Sequence, residues 1–473
     1  MGAAMRETRG EGRCASGSCP PADARGKLER QIRSSRQSQA GRSAIHIDSN
    51  PGDDMKRRFQ VSMMAGGALA MLALGAAGGN AQAAGFKHPG ILVTQARLDY
   101  VKGRIAANDK LFVNAFNQMK GSSWASKTYK IAGNLGGGYI SCDATSSNDH
   151  GCKAEQSDMT AAYTQALMWY LTGDSTYAKN AVSIMNFYAR NLKGGHRGAN
   201  APLQSAWAAE VWPAAAEIIR YTYSGWSASD AKAFGTMLNT QHLPYITGSN
   251  GNGGNGNWKL SMIDGMIGIA VYNDDQSLFN TATGTFRQWM SAYYYNAAKD
   301  GGAPVKFSGS PGGWNGQTVF NAQVSGVTQE TCRDTQHVGL GMAATFNAAE
   351  TAYIQGTDLY AVFAERLTTS LEFLSKLLHG TRNTSQTAYQ PVPNAYLGAL
   401  CTDVSGHANQ FVPVLKGTMV RAYNAYAIRK GMSLPATKAH LLDDIIPAAE
   451  ANDGHNVQWE VLTHGDSPST PVE

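Results

Sequence analysis

Helical segments recur in pairs along this chain, separated by short polar breaks. The clearest pair runs from Gln156 to Leu192, where two stretches of helical periodicity meet at Gly173-Asp174. Breaks this short place neighbouring helices antiparallel. The rhythm recurs at residues 94–120, 203–239, 258–298, 329–379 and 411–450. Stacked hairpins without a convincing run of alternating strand residues predict an all-α fold, and the lack of a strict repeat favours a closed toroid over an open solenoid.

Three long irregular stretches interrupt the helices, at residues 121–155, 244–257 and 301–327. Compact domains connect most elements with only a few residues, so loops of this length usually have a function. We expect these loops to border a binding cleft. The alternative is that they are surface loops without a function.

The N-terminus carries the pattern of an export signal. Basic residues at 56–58 precede a largely apolar run, Phe59 to Ala77, and an Ala81-Gln82-Ala83 cleavage motif. We interpret residues 1–54 as an extension from a start codon placed too far upstream, Met55 to Ala83 as a signal peptide, and residues 84–473 as a single domain. The mature protein is therefore expected to be periplasmic or secreted, without stable membrane insertion.

Removal of residues 1–83 changes the charge balance. They contain 12 of the 40 Lys and Arg and 7 of the 35 Asp and Glu, which leaves 28 of each. A neutral chain has no general attraction for nucleic acid, so an acidic ligand must be held by local cations. The four remaining cysteines are an even number, typical of an exported protein. We predict the bridges Cys142–Cys152 and Cys332–Cys401, and neither a catalytic metal nor a cofactor.

Residues 329–360 join a charged beginning to an apolar helix. If the whole segment is helical, Glu330, Arg333, Asp334 and His337 share one face, because they are spaced i, i+3, i+4 and i+7. We interpret the segment as a core helix whose N-terminus faces a site. A buried ion-pair network that only locks helices together is an equal alternative.

Polar and aromatic residues elsewhere extend the candidate site. Asn257 follows a glycine-rich loop, and it either caps the next helix or projects its amide into a cleft. Trp258, Lys259 and Trp314 are candidate substrate contacts, although tryptophan in a helical protein is more often part of the core. Gln204, at the start of another predicted helix, is a further candidate contact.

Two prolines predict an extended conformation for residues 387–401, which include Tyr389 and Tyr396. A tyrosine held beside an arginine can act as a base or an acid. The predicted Cys332–Cys401 bridge would bring Tyr396 close to Arg333. The alternative is that both tyrosine rings are simply packed.

A family resemblance rests on three segments: LQSAWAAEVWPAAAEIIRY, GNGNWKLSMIDGMIGIAVYNDD and QETCRDTQHVGLGMAATFNAAETAYIQGTDLY. Together they resemble the alginate lyase superfamily, and within it polysaccharide lyase family 38. The resemblance extends over most of the mature chain. It implies an incomplete α/α toroid of roughly six to seven helical hairpins, a lyase without a cofactor, and an anionic polysaccharide, alginate or glucuronan, as substrate.

The resemblance also implies roles in β-elimination. Asn257, in the family's Asn-Trp motif, would donate a hydrogen bond to the uronate carboxylate, and Arg333 would add a cation. His337 and Tyr396 would serve as base and acid. Tyr389 is the alternative to Tyr396 as the catalytic tyrosine. If Tyr396 is catalytic, Tyr389 is expected to contact the substrate, as is Glu330.

Sugar stereochemistry narrows the substrate. In mannuronate and glucuronate, the C5 proton and the 4-oxygen lie on one face, so a single tyrosine with a helper histidine suffices. This favours mannuronate-rich alginate, with glucuronan second. Tyr294 or Tyr295 remain further candidates for that tyrosine.

Two other classes of protein remain as alternatives. An inverting glycoside hydrolase could use Glu330 and Asp334, although Arg333 is expected to keep both ionised, a poor setting for a general acid. A non-catalytic sugar-binding protein would need Trp314 and Arg333 without His337 or Tyr396.

Overall fold

A computed structural model describes residues 85–142, 149–247, 256–306, 313–379, 419–447, 455 and 457–466. All of these residues belong to one compact unit, Asn80–Glu473. The predicted signal peptide lies outside the described residues, as do Tyr389, Tyr396 and Cys401. The calls on those residues therefore stay predictions.

The described residues are mainly helical. In chain order the elements are α1 (Gln95–Ala106), α2 (Lys110–Gly121), β1 (Ile140–Ser141), α3 (Cys152–Thr172), α4 (Ser175–Asn191), β2 (His196–Arg197), α5 (Ala201–Thr222), α6 (Ala228–Met237), α7 (Leu243–Thr247), α8 (Asn257–Tyr272), α9 (Gln276–Tyr293), α10 (Ala297–Asp300), α11 (Thr335–Ile354), α12 (Leu359–Val362), α13 (Ala364–Leu378), α14 (Met419–Tyr423), α15 (Pro435–His440) and α16 (Glu460–His464). Wider π-helical turns follow α6, α14 and α15, at Leu238–His242, Asn424–Arg429 and Leu441–Ile445.

The predicted helix signals act at the ends of the first helices. The Thr94 side chain caps α1 by accepting the backbone N–H of Arg97. Gly173 ends α3 in the left-handed region, and the Asp174 side chain then caps α4. The hairpin predicted around Gly173-Asp174 is thereby confirmed.

The helices form an inner and an outer layer. Helices α3, α5, α8 and α11 pack on one another in that order. Almost every side chain of α5 and α8 is buried, and a Cβ at Gly265 of α8 would lie 2.8 Å from the Ala209 Cβ of α5. Helices α4 and α9 bury only part of their surface and pack outside α3 and α8. Contacts continue from α11 through α14, α16 and α1 back to α3. The predicted all-α toroid is confirmed.

Three local predictions need correction. Helix α11 begins at Thr335 and not at Gln329, because the Asp334 side chain caps it, so Glu330 and Arg333 belong to a preceding turn. Residues 243–247, placed mostly in a loop, form the short helix α7. The loop 121–155 contributes β1, which pairs in parallel with β2 in the register Ile140 to His196.

The Cys142–Cys152 disulfide is present, with its Cα atoms 5.5 Å apart. It ties the end of the 121–155 loop to the first turn of α3 and confirms that prediction. The predicted Cys332–Cys401 bridge involves a cysteine outside the described residues. Among the described helices, none combines the length and the apolar character needed to cross a membrane.

Candidate active site

The Glu330 carboxylate is the centre of a hydrogen-bond cluster near the start of α8. Asn257 donates its backbone N–H to Oε2 at 2.9 Å and its side-chain Nδ2 to Oε1 at 2.8 Å. The Tyr293 hydroxyl donates to Oε2 at 3.0 Å, and Arg333 Nη1 donates to Oε1 at 3.1 Å. The Glu330 side chain is only 2% exposed. It therefore holds together the end of α9, the start of α8 and the turn before α11.

A glycine permits this close approach. Gly256 precedes α8 with φ 50°, and a Cβ there would lie 2.5 Å from the carboxyl carbon of Glu330. Gly256 occupies the N-cap, so Asn257 is the first residue of the helix. Of the two alternatives for Asn257, the helix cap is wrong, and its amide instead donates to Glu330.

The local electrostatics favour an anion. The first turn of a helix has unpaired backbone N–H groups and carries the positive end of the helix dipole. Helix α8 begins at Asn257, which bonds to Glu330, and α11 begins five residues beyond Glu330, at Thr335. Arg333, whose side chain is 40% exposed, adds a full positive charge on an accessible side chain. Because Glu330 and Asp334 already face the starts of α8 and α11, the exposed part of Arg333 is the group that can attract a ligand carboxylate.

His337 is held by a carboxylate on the first turn of α11. Its Nδ1 lies 2.6 Å from Asp334 Oδ2 and 2.7 Å from Oδ1, and its backbone N–H donates to Oδ1 at 2.8 Å. Asp334 thus caps the helix and orients the imidazole. Since Nδ1 faces Asp334, Nε2 is the nitrogen that can exchange a proton with a ligand, and the side chain is 27% exposed.

The two carboxylates differ in acidity. Burial raises the pKa of Glu330, and its Asn257 hydrogen bonds together with His337 and Arg333 oppose that rise only in part. Burial acts in the same direction on Asp334, but the hydrogen bonds from His337 outweigh it and hold the pKa of Asp334 below its usual value. Arg333, which is expected to keep both groups ionised, lowers the pKa of each, but at Glu330 burial dominates and the net shift is upward.

The described tyrosines near the cluster are structural. Burial and the charge of Glu330 raise the pKa of Tyr293 well above its usual value. Tyr294 is fully buried and donates to Thr345 Oγ1 at 2.8 Å, while the Tyr295 hydroxyl donates to the Gly301 carbonyl. These hydroxyls are engaged by the protein. The two candidates from the proline-containing segment, Tyr389 and Tyr396, lie outside the described residues.

Three predicted substrate contacts are half-buried. Trp258 and Lys259 are the only residues of α8 that are not fully buried. Burial lowers the pKa of Lys259, whose Nζ is 5.9 Å from the Trp289 ring centroid. Trp314 packs edge-to-face on Phe320, with ring centroids 5.1 Å apart.

Part of the 301–327 loop is anchored beside the cluster. Asn315 Nδ2 donates to the Gln329 carbonyl at 3.0 Å, and Gln329 Nε2 donates to the Gly313 carbonyl at 2.8 Å. Gln329 is adjacent to Glu330 in the chain, so Trp314 lies on the loop that adjoins the candidate site. The expectation that the long loops border a cleft stays a prediction.

Gln204 belongs to a different, buried cluster. Gln204 is only 1% exposed. Its Nε2 donates to Glu155 Oε2, and its Oε1 accepts from Gln156 Nε2, both at 2.8 Å. Its role as a substrate contact is not supported by any contact to the Glu330 cluster among the described residues.

The sequence alone does not predict the positions of Tyr293 and Asp334 in this site. Tyr293 carries no local signal, because a tyrosine at the end of a helix is ordinary. Asp334 was considered only as a hydrolase carboxylate, although its position three residues before His337, at the start of an apolar helix, is a capping signal. Only the fold shows that one carboxylate orients Asn257 and the other orients His337.

The chain is similar to known alginate lyases in part of its sequence and in its fold. Residues 119–304 match the family model described as alginate lyase. Alginate lyase A1-III from Sphingomonas species A1 shares 13% identity, with 79% of this chain and 97% of that chain covered and a TM-score of 0.52. Two complexes of alginate lyase A1-III with tetrasaccharide are also similar. The complex of a Tyr-to-Phe variant shares 16% identity, with 74% of this chain and 90% of that chain covered and a TM-score of 0.51. The complex of a His-to-Ala variant shares 14% identity, with 75% of this chain and 91% of that chain covered and a TM-score of 0.51. No curated protein matches the chain. The family match confirms the predicted resemblance to the alginate lyase superfamily, and the structural likeness confirms the fold. The assignment to polysaccharide lyase family 38 stays a prediction.

Proposed function

We propose, from the premise that this chain is an alginate lyase-like polysaccharide lyase, that it cleaves a mannuronate-rich alginate by β-elimination. The reaction removes the proton on C5 of a uronate, forms a double bond between C4 and C5, and breaks the bond between C4 and the glycosidic oxygen. The leaving oxygen takes up a proton. The product is a chain end with a 4,5-unsaturated uronate.

The carboxylate of the reacting uronate is assigned to Asn257 and Arg333. Loss of the C5 proton spreads negative charge into that carboxylate, so a cation and hydrogen-bond donors beside it lower the barrier. The guanidinium of Arg333 is partly exposed, and the start of α8 adds backbone N–H groups. Glu330, predicted as a substrate contact, is buried under four protein donors, so we assign it to positioning Asn257 and Arg333.

His337 is assigned to proton transfer. Asp334 fixes Nδ1 of the imidazole and stabilises the imidazolium that forms when Nε2 accepts a proton. The observation that carries the proposal is this combination: a His337 oriented by Asp334, a partly exposed Arg333, and a buried Asn257, with Arg333 and Asn257 both bonded to the Glu330 carboxylate. Alginate lyase A1-III, which has a similar fold, forms complexes with a tetrasaccharide as a Tyr-to-Phe and as a His-to-Ala variant.

The tyrosine is assigned to Tyr396, with Tyr389 as its rival. The described tyrosines around Glu330 are buried and have raised pKa values, which makes them poor proton donors to a substrate. His337 Nε2 would accept the phenolic proton of this tyrosine, and the phenolate would then take the C5 proton and pass it to the leaving 4-oxygen. That sequence suits mannuronate and glucuronate, because the C5 proton and the 4-oxygen share a face. Glucuronan is therefore the second candidate substrate.

The alternative of a glycoside hydrolase is disfavoured by the carboxylates themselves. Glu330 is nearly inaccessible, and Asp334 is ionised and bonded to His337, so neither is free to protonate a leaving group. A non-catalytic sugar-binding protein would not need the Asp334–His337 pair.

The test is ultraviolet absorbance during separate incubations with polymannuronate, polyguluronate and glucuronan. Elimination produces a conjugated, absorbing uronate, whereas hydrolysis produces reducing ends without absorbance. We expect the fastest rise with polymannuronate. Reducing ends without absorbance would refute elimination, and a rise only with polyguluronate would refute the substrate assignment.

A matched pair of variants tests the tyrosine. We expect Tyr396→Phe to abolish turnover while oligosaccharide binding stays near wild type, and Tyr389→Phe to retain turnover. The reverse result would transfer the role to Tyr389.

A further inference from the structure

A second cluster of ionisable side chains lies apart from the Glu330 cluster. It consists of Glu155 in the first turn of α3, His196 in β2 and His242 in the π-helical turn after α6. All three side chains are fully buried. Glu155 Oε2 is 3.0 Å from His196 Nε2, Glu155 Oε1 is 3.8 Å from His242 Nε2, and the potential ligand atoms all lie within 4.8 Å of one another.

The hydrogen bonds of His196 define which nitrogen carries a lone pair. Its Nδ1 lies 3.1 Å from the Gln241 carbonyl oxygen, which can only accept, so Nδ1 carries a proton. In the neutral ring Nε2 then has a lone pair, and that lone pair faces the Glu155 carboxylate. Two facing acceptors repel, so either a second proton or a cation must lie between them.

His242 is the second observation that points to a ligand. Neither of its ring nitrogens has a hydrogen-bond partner, although the side chain is fully buried. The Ser205 backbone interacts weakly with the ring without reaching hydrogen-bond geometry. A buried, unpaired imidazole costs free energy unless something binds it.

Glu155 supplies the negative charge. Its two oxygens face the two imidazoles, Oε2 towards His196 Nε2 and Oε1 towards His242 Nε2. Its oxygens accept further bonds from Gln204 Nε2 at 2.8 Å and Trp212 Nε1 at 3.4 Å. These donors would orient the carboxylate in the way that outer groups orient metal ligands.

We propose that Glu155, His196 and His242 bind one divalent transition-metal ion of the zinc type. Two imidazoles and one carboxylate are a common ligand set for Zn²⁺, whereas Mg²⁺ and Ca²⁺ prefer oxygen ligands. Zinc bonds of about 2.0–2.1 Å place tetrahedral ligand atoms about 3.3 Å apart. The distances from Glu155 to His196 Nε2 and His242 Nε2, 3.0 and 3.8 Å, therefore need only small adjustments. The Gln241 carbonyl on His196 Nδ1 is the outer partner that such a histidine usually has.

A water molecule would complete the tetrahedron, and the ion would act as a structural crosslink. It joins α3, β2 and the turn before α7, and Glu155 lies one turn after the Cys142–Cys152 disulfide. Disulfide and ion would together fix the 121–155 loop to the inner helices. The sequence predicts no catalytic metal and leaves a structural cation open, and this proposal does not depend on the lyase reaction.

The test is the metal content of the whole protein. Wild-type protein is incubated with zinc, dialysed and measured by mass spectrometry, and a second sample is loaded with Co²⁺ for visible absorption. We expect one ion per chain, the intense visible bands of tetrahedral Co²⁺, and a Tm that falls by at least about 2 °C when a chelator removes the ion. Substoichiometric zinc, or Co²⁺ bands indistinguishable from those of the free ion, would overturn the proposal.

Two histidine variants locate the site. His242→Gln removes a proposed ligand, and His440→Gln is the control, because His440 is equally buried but pairs with Asp444. We expect zinc affinity to fall at least tenfold in the first variant and to stay unchanged in the second. Equal zinc binding by both variants would show that the ion sits elsewhere. Because the readout is metal content, failure here leaves the proposed elimination reaction untouched.

Discussion

Replacing Asp334 with asparagine would separate its two tasks. The Asp334 side chain accepts the backbone N–H of His337 at 2.8 Å. Asparagine is as good a helix cap as aspartate, so its side-chain oxygen can still accept this hydrogen bond. The negative charge that faces Nδ1 at 2.6–2.7 Å would be lost. The variant therefore keeps the start of α11 and removes the group that stabilises the imidazolium.

The expected loss follows from the strength of that contact. A hydrogen bond to a charged partner contributes about 1.5–3 kcal/mol, which corresponds to a fall in kcat of about 10- to 150-fold. The interaction forms fully only when the imidazole is protonated during the reaction, so we expect KM to change by less than about threefold. Initial rates of the ultraviolet absorbance increase over a range of polymer concentrations give both constants.

The matched control is Asp275→Asn. Asp275 caps α9 through the Leu278 backbone N–H but is exposed and has no histidine partner. We expect both variants to keep wild-type Tm within about 2 °C, and only the Asp334 variant to lose turnover. A kcat for Asp334→Asn within about twofold of wild type would refute the idea that this carboxylate assists His337.

Three further predictions test the site and the core. Arg333→Lys keeps the charge but loses the planar guanidinium, so we expect kcat/KM to fall at least about tenfold in the same assay, whereas unchanged turnover would mark Arg333 as structural. Gly256→Ala places a methyl group against the Glu330 carboxylate and forces alanine to adopt the positive φ of residue 256. We therefore expect the free energy of unfolding, measured with denaturant, to fall by about 1–3 kcal/mol. An unchanged value would show that the loop adapts. Burial and nearby arginines lower the pKa of His464 far below 6.5, so the unfolded chain binds the extra proton and stability falls by about 1.4 kcal/mol per pH unit below pH 6.5. Because His242 and His440 also have lowered pKa values, we expect His464→Gln to reduce the slope by about 1.4 kcal/mol per pH unit without abolishing it, whereas the exposed His379→Gln should leave it unchanged. Equal slopes in both variants would contradict the assignment.

The sequence by itself determined the helical architecture. Periodicity and short capped breaks are local properties, so the pairing of α3 with α4 around Gly173-Asp174 could be predicted directly. The Cys142–Cys152 disulfide was equally accessible, because it closes a loop between residues only ten apart. The family motifs also singled out Asn257, Arg333 and His337, although their roles remain proposals.

The tertiary structure decided what those residues touch. Asn257 and Glu330 are 73 residues apart, and nothing in the local sequence of either predicts that one carboxylate accepts two hydrogen bonds from the other residue. The same holds for Glu155 and His242, which the helical periods of their own segments do not connect. Local patterns reflect the backbone and its nearest neighbours, whereas such clusters form only when the inner helices pack, and burial then makes every unpaired polar atom costly.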